Sequence, residues 1–138
     1  MVQFLRFDYS ADMTMTFFFY SQVVFSDIVG FTTISQTFTP QKVCDMLDRL
    51  YNALDECANK HKVFKVETIG DAYMGVTNLD GTQFETHVKD AAEFAVAIME
   101  AASKILIDKD APEKGCVKMR VGFHSGPVVS NVIGSLNP

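Results

Sequence analysis

Asp27 and Asp71 are the residues of this chain best suited to chemistry on a charged substrate. Carboxylates are the hard oxygen donors that Mg²⁺ and Mn²⁺ prefer, and a pair of them leaves coordination positions free for water and phosphate. Asp27 closes an apolar run and Asp71 lies in a Gly70-Asp71 turn signal. Both positions also have plain structural readings, since aspartate caps helices and makes turns. After Asp27 the chain reads Ile28-Val29-Gly30-Phe31-Thr32-Thr33. A glycine leading from a strand into a helix points backbone N–H groups at an anion. It is no P-loop, because the GxxxxGK[ST] pattern is absent. His61, His87 and His124 are scattered and suggest no dedicated base. Taken alone, Glu67 reads as a solvated strand glutamate beside Lys65, and Arg120 as a surface cation.

The elements that must position these residues follow from hydrophobic period. Phe17 to Ser26 is rich in Phe, Tyr and Val and reads as a buried strand. Thr39-Pro40 is an N-cap and first-turn pair, and Val43, Met46, Leu47, Leu50, Tyr51, Leu54, Cys57 and Ala58 then keep helical spacing to about Lys60. Val63 to Ile69 alternates, with Phe64 and Val66 on one face and Lys65 and Glu67 on the other. Ala72 to Val76 completes a hairpin around Gly70-Asp71. Thr82 and Glu85 have capping-box spacing, ahead of a helix with Val88, Ala91, Ala92, Ala95, Ile98, Met99, Ala102 and Ile105 as its apolar stripe. Asp108 to Gly115 is a charged loop. Val117, Met119, Val121 and Phe123 alternate as a last strand, and the chain continues through Val128 to Ile133, Gly134 and Asn137-Pro138. Met1 to Thr16 carries no clear period, so we divide the chain into a poorly specified segment 1–16 and one domain, 17–138.

Strand, helix, hairpin, helix, strand is a ferredoxin-like βαββαβ arrangement, an α+β fold with an antiparallel sheet and helices on one face. In that topology the first strand runs antiparallel to the second hairpin strand. Its end therefore approaches the hairpin turn, which brings Asp27 toward Asp71.

The bulk numbers exclude several classes. With 138 residues, 48% apolar and 21% charged, the chain suits one globular domain rather than a disordered segment. A net charge of −5 argues against a nucleic-acid partner. Cys44, Cys57 and Cys116 have no CxxC spacing, which favours reduced thiols in a cytoplasmic setting. No apolar run approaches the roughly 20 residues of a membrane span. A tether elsewhere in a longer parent protein is compatible with this.

Three blocks are more specific. Phe25-Ser26-Asp27-Ile28-Val29-Gly30-Phe31-Thr32, Phe64-Lys65-Val66-Glu67-Thr68-Ile69-Gly70-Asp71-Ala72-Tyr73, and Met119-Arg120-Val121-Gly122-Phe123-His124-Ser125-Gly126-Pro127-Val128-Val129 together resemble the catalytic domain of class III adenylyl and guanylyl cyclases. They stand in family order over about Phe17 to Pro138. The resemblance implies two divalent cations, Mg²⁺ or Mn²⁺, held by Asp27, Asp71 and the Ile28 carbonyl. It implies that Gly30, Phe31 and Thr32 hold the triphosphate and that Arg120 contacts phosphate. Glu67 matches the position that reads the purine. A carboxylate there accepts from the N1–H and exocyclic amine of guanine, and an unpaired buried polar group penalises the wrong base.

The reaction implied is conversion of GTP to cyclic GMP and pyrophosphate between two such domains, as homodimer or heterodimer. Family members continue past the equivalent of Pro138 into a segment with a second base-reading residue, an asparagine and an arginine. The resemblance thus marks the domain as truncated at its C-terminal end, and weak activity is expected of this chain alone. An adenylyl cyclase acting on ATP, a non-catalytic nucleotide-binding or dimerisation module, and a ferredoxin-like interaction module are the alternatives.

Overall fold

The computed structural model describes residues 3–5 and 16–130, with side chains from 20 to 128. Its elements are β1 (Gln3–Leu5), β2 (Thr16–Ile28), α1 (Phe31–Thr37), α2 (Pro40–Lys60), β3 (Phe64–Ile69), β4 (Ala72–Thr77), α3 (His87–Ala102) and β5 (Met119–Ser130), with a 3-10 turn at Pro112–Lys114 before β5. The expected continuation from residue 131 to Ile133, Gly134 and Asn137-Pro138 lies outside the described residues, as does most of the segment 1–16.

One sheet runs β1-β5-β2-β4-β3. Its β2, β3, β4 and β5 pair only antiparallel, as the βαββαβ reading requires. The short β1 adds a parallel pairing to β5, which the aperiodic N-terminal sequence did not announce. Val24, Ile28, Tyr73, Val117 and Met119 from the sheet pack with Met46, Leu50 and Leu54 of α2 and Ala91, Phe94 and Ile98 of α3. The helices therefore cover one face. Each large apolar side chain buried there contributes about 1.5–3 kcal/mol. A smaller cluster of Val23, Met74, Val76 and Val128 lies on the opposite face, with Val66 and Leu79 against it. Among the described residues no helix is long and apolar enough to cross a membrane, and Cys44, Cys57 and Cys116 are free thiols.

Three expectations are corrected. Thr82 does not open the second long helix. Its hydroxyl and its N–H both donate to Asp80, and α3 starts after Thr86. The buried stripe of that helix is His87, Ala91, Phe94, Ile98 and Ala102, while Val88 and Met99 are half exposed. The stripe is thus rotated toward Phe94, the bulkiest side chain available to fill the core. The third correction concerns β3, whose alternation is interrupted. Lys65 pairs with Gly75, yet Glu67 pairs with the next residue, Met74. Val66 is one extra residue, a β-bulge, and Glu67 shares the face of Met74 instead of that of Lys65.

Candidate active site

The site begins where β2 ends beside the β3–β4 turn. The register Ser26↔Tyr73 and Phe25↔Met74 brings the last residues of β2 level with the first of β4. The two-residue turn between Ile69 and Ala72 uses Gly70 at φ 62°, a left-handed conformation that glycine adopts without steric cost. Asp71 then reaches back, and its Oδ2 accepts from the Ile28 N–H at 3.2 Å. Its carboxyl also shares a hydrogen bond with that of Asp27. The two aspartates singled out in the sequence meet.

Their acidities diverge. Asp27 is held below the ordinary carboxylate range, first by its hydrogen bond with Asp71 and next by Arg120. Asp71 is pushed up, first by burial and next by the hydrogen bond with Asp27. As pH falls, Asp71 therefore takes up a proton before Asp27 does. Two carboxyls held this close form a site that a cation stabilises, because positive charge relieves the repulsion between them. The residues present suit a divalent ion of the oxygen-seeking class: two carboxylates, the Ile28 backbone beside them, and Asp27 about one-third exposed. Among the described residues there is no cluster of three or more His, Cys, Asp or Glu.

Arg120 stands directly opposite Asp27 in the β2–β5 ladder and is ion-paired with it. The surface cation of the plain reading thus has a carboxylate partner, although its side chain remains largely exposed. Gly30 ends the turn after β2 at φ 75° and caps α1, its carbonyl accepting from the Thr33 and Ile34 amides. Phe31 and Thr32 open that first turn, where amides have no carbonyl a turn behind them. Phe31 anchors in the main core, which holds the turn against the end of β2.

Glu67 lies on the same sheet face as Asp27 and Arg120. Met74, its partner, belongs to the cluster on the side away from the helices, and Phe25, the partner of Met74, is two residues from Asp27. Two strand spacings, about 10 Å, separate Glu67 from the β2 strand. Lys65 is not its neighbour. That ammonium turns to the helix side and bonds Asp55 at 2.8 Å.

Residues on α2 escaped the sequence reading. Tyr51, counted only as part of an apolar stripe, donates its hydroxyl to the Gly70 carbonyl at 2.8 Å. Asp55, one turn further on, accepts from the Tyr73 hydroxyl at 2.8 Å as well as from Lys65. Burial pushes the Tyr51 phenol up, with the nearby Asp71 charge adding to it, so this hydroxyl stays a donor through neutral pH. A phenol and a carboxylate at i and i+4 on the edge of a buried stripe is the signal that could have found them.

Comparison with known proteins agrees with this geometry. The model of the Adenylate and Guanylate cyclase catalytic domain matches residues 20–138. The human Atrial natriuretic peptide receptor 2 is 40% identical over 116 residues, which is 84% of this chain and 11% of the receptor. The chain thus spans about a tenth of the curated relatives it matches. Among solved structures, the guanylate cyclase domain of RhGC from Catenaria anguillulae in complex with GTP superposes with a TM-score of 0.79 at 35% identity, covering 89% of this chain and 65% of that one. A non-canonical dimeric guanylyl cyclase domain of the RhoGC fusion protein from Blastocladiella emersonii gives 0.78 at 35% identity, with coverages of 92% and 68%. With its paired aspartates, glycine turn and hairpin carried on this sheet, the chain belongs to the adenylate and guanylate cyclase catalytic domain family.

Proposed function

We propose that the chain is a guanylyl cyclase domain, a lyase that converts GTP to cyclic GMP and pyrophosphate at an interface between two cyclase domains. The observation that carries this reading is the meeting of Asp27 and Asp71 beside Ile28. In the reaction the ribose 3′ oxygen forms a bond to the α-phosphorus. The bond from that phosphorus to the bridging oxygen breaks, and pyrophosphate leaves with the electron pair. Two divalent cations, Mg²⁺ or Mn²⁺, when bound supply charge neutralisation on the phosphates and a more acidic 3′ hydroxyl. Asp27, Asp71 and the Ile28 carbonyl would hold them.

The other residues divide the remaining work. The amides of Gly30, Phe31 and Thr32 orient the triphosphate, and Arg120 moves from Asp27 to a phosphate oxygen as the substrate arrives. Glu67 accepts from guanine, which presents two donors where adenine presents an acceptor and one donor. Phe25 and Ile69 are exposed on the face that bears Asp27 and Glu67. Large apolar side chains beside charged site residues suit a surface that a second domain covers.

The test is titration of the purified chain with non-hydrolysable GTP and ATP analogues, with and without Mn²⁺. We expect binding that requires metal, prefers guanine, loses its metal dependence in Asp27→Ala and loses its base preference in Glu67→Lys. A preference for the adenine analogue turns the assignment to an adenylyl cyclase. Failure of both nucleotides to bind under any condition leaves a ferredoxin-like interaction module.

A further inference from the structure

We propose that Tyr51 is a positioning residue that fixes the metal-binding hairpin turn from α2. The inference rests on the assignment of Asp71 to metal. Gly70 gives the turn its left-handed geometry, and the same residue is conformationally the freest in the hairpin. Its carbonyl belongs to the peptide unit whose N–H is that of Asp71, so the orientation of this one plane sets where the Asp71 side chain starts. The Tyr51 hydroxyl holds that carbonyl at 2.8 Å. On the other side, the Ile28 N–H holds the carboxylate itself at 3.2 Å. Asp71 is thus gripped at its backbone from α2 and at its side chain from β2.

Tyr51 is braced from behind. Its ring packs against Tyr73 with centroids 6.3 Å apart. The Lys65 ammonium sits over both rings, at 5.9 Å from the centroid of Tyr51 and 5.2 Å from that of Tyr73. Asp55 then fixes Lys65 and the Tyr73 hydroxyl together, each at 2.8 Å. This cluster joins one face of α2 to both hairpin strands, beside the turn that bears Asp71 and on the strand that bears Glu67. Hydrogen bonds around a metal ligand ordinarily fix its orientation, and their loss weakens metal affinity. Tyr51 does this one step removed, through the backbone of the ligand.

Tyr51→Phe keeps the ring and deletes the bond to Gly70. Free Mn²⁺, measured by electron paramagnetic resonance against the purified chain, should show affinity weakened about tenfold. Thr77→Val serves as the control. It removes a buried 3.0 Å bond to the His87 carbonyl at the far end of β4, so it should lower the melting midpoint without moving the Mn²⁺ affinity. Equal weakening in both variants, or a change below about twofold in Tyr51→Phe, overturns the proposal. A second readout needs no metal. The backbone ¹⁵N order parameter of Asp71 should fall in Tyr51→Phe while those of β2 hold, and an unchanged value overturns the proposal even where the wild-type chain binds no Mn²⁺. Equal Mn²⁺ affinity in wild type and Asp71→Asn instead removes the assignment of Asp71 to metal.

Discussion

Asp27 and Arg120 face each other across the β2–β5 ladder, and the guanidinium lies on the carboxylate that the site would offer to a cation. A divalent ion and this arginine therefore compete for the same oxygen. Arg120→Ala should tighten binding of free Mn²⁺ by about two- to fivefold, the scale of an exposed ion pair worth up to about 1 kcal/mol. The same change should weaken the GTP analogue, since the arginine is no longer present to meet phosphate. Electron paramagnetic resonance and calorimetry separate the two, and a loss of Mn²⁺ affinity would contradict the competition.

Base choice should separate from metal binding. Glu67 and Asp27 share a face but stand on strands with β4 between them, and Asp71 lies beyond the end of β3 in the turn. Glu67→Lys is expected to leave Mn²⁺ affinity within about twofold and to lower the ratio of GTP-analogue to ATP-analogue affinity by at least about tenfold. Parallel titrations with the two analogues check this, and a ratio that does not move assigns base reading elsewhere.

Packing against the hairpin is tight at one glycine. A Cβ on Gly75 would stand 2.6 Å from Val63 Cγ1, and Val63 is buried and stiff at its β-branch. Gly75→Ala should cost about 1–3 kcal/mol in urea denaturation. Adding Val63→Ala should recover part of that loss, because it removes the clashing methyl. Additive destabilisation in the double variant would rule out this contact as the cause.

Acid sensitivity should trace in part to Asp108, which is buried at 5% exposure and bonded by Lys42 at both oxygens. Its carboxyl is held below the ordinary range, first by the bond from Lys42 and next by the Asp110 N–H. In the unfolded chain it protonates near the ordinary value of about 3.9. The native state binds that proton only at lower pH, so the stabilisation is complete above that value and is lost as pH falls through the folded pKa. Lys42→Met should flatten the acid side of the stability–pH curve, followed by thermal melts. An unchanged acid limb would place the sensitivity elsewhere.

The pairing of Asp27 with Asp71 was legible because it depends on topology, and topology follows from element order. The α2 boundaries were legible too, since Pro40 and the stripe through Ala58 are strong local signals. What escaped depends on choices that local pattern leaves nearly balanced. In α3 an alanine-rich surface supports more than one apolar stripe, and only the three-dimensional core selects Phe94 over Val88 and Met99. Thr82 and Thr86 are both plausible caps, and the competing partner, Asp80, takes Thr82. Tyr51 is apolar by composition but acts here through one hydroxyl. The family blocks named the candidate ligands, whereas the contact of Tyr51 with the turn that bears Asp71 came only from the structure.

Val66 gives β3 a parity. Side chains on a strand are dealt alternately to two faces, so one surplus residue reverses the deal for everything after it. Were Val66 taken into the ladder as an ordinary pair for Met74, Glu67 would fall opposite Tyr73 and the carboxylate that would read the purine would turn toward α2, although every letter of the motif is intact. In this hairpin, register is as much a part of the chemical specification as composition.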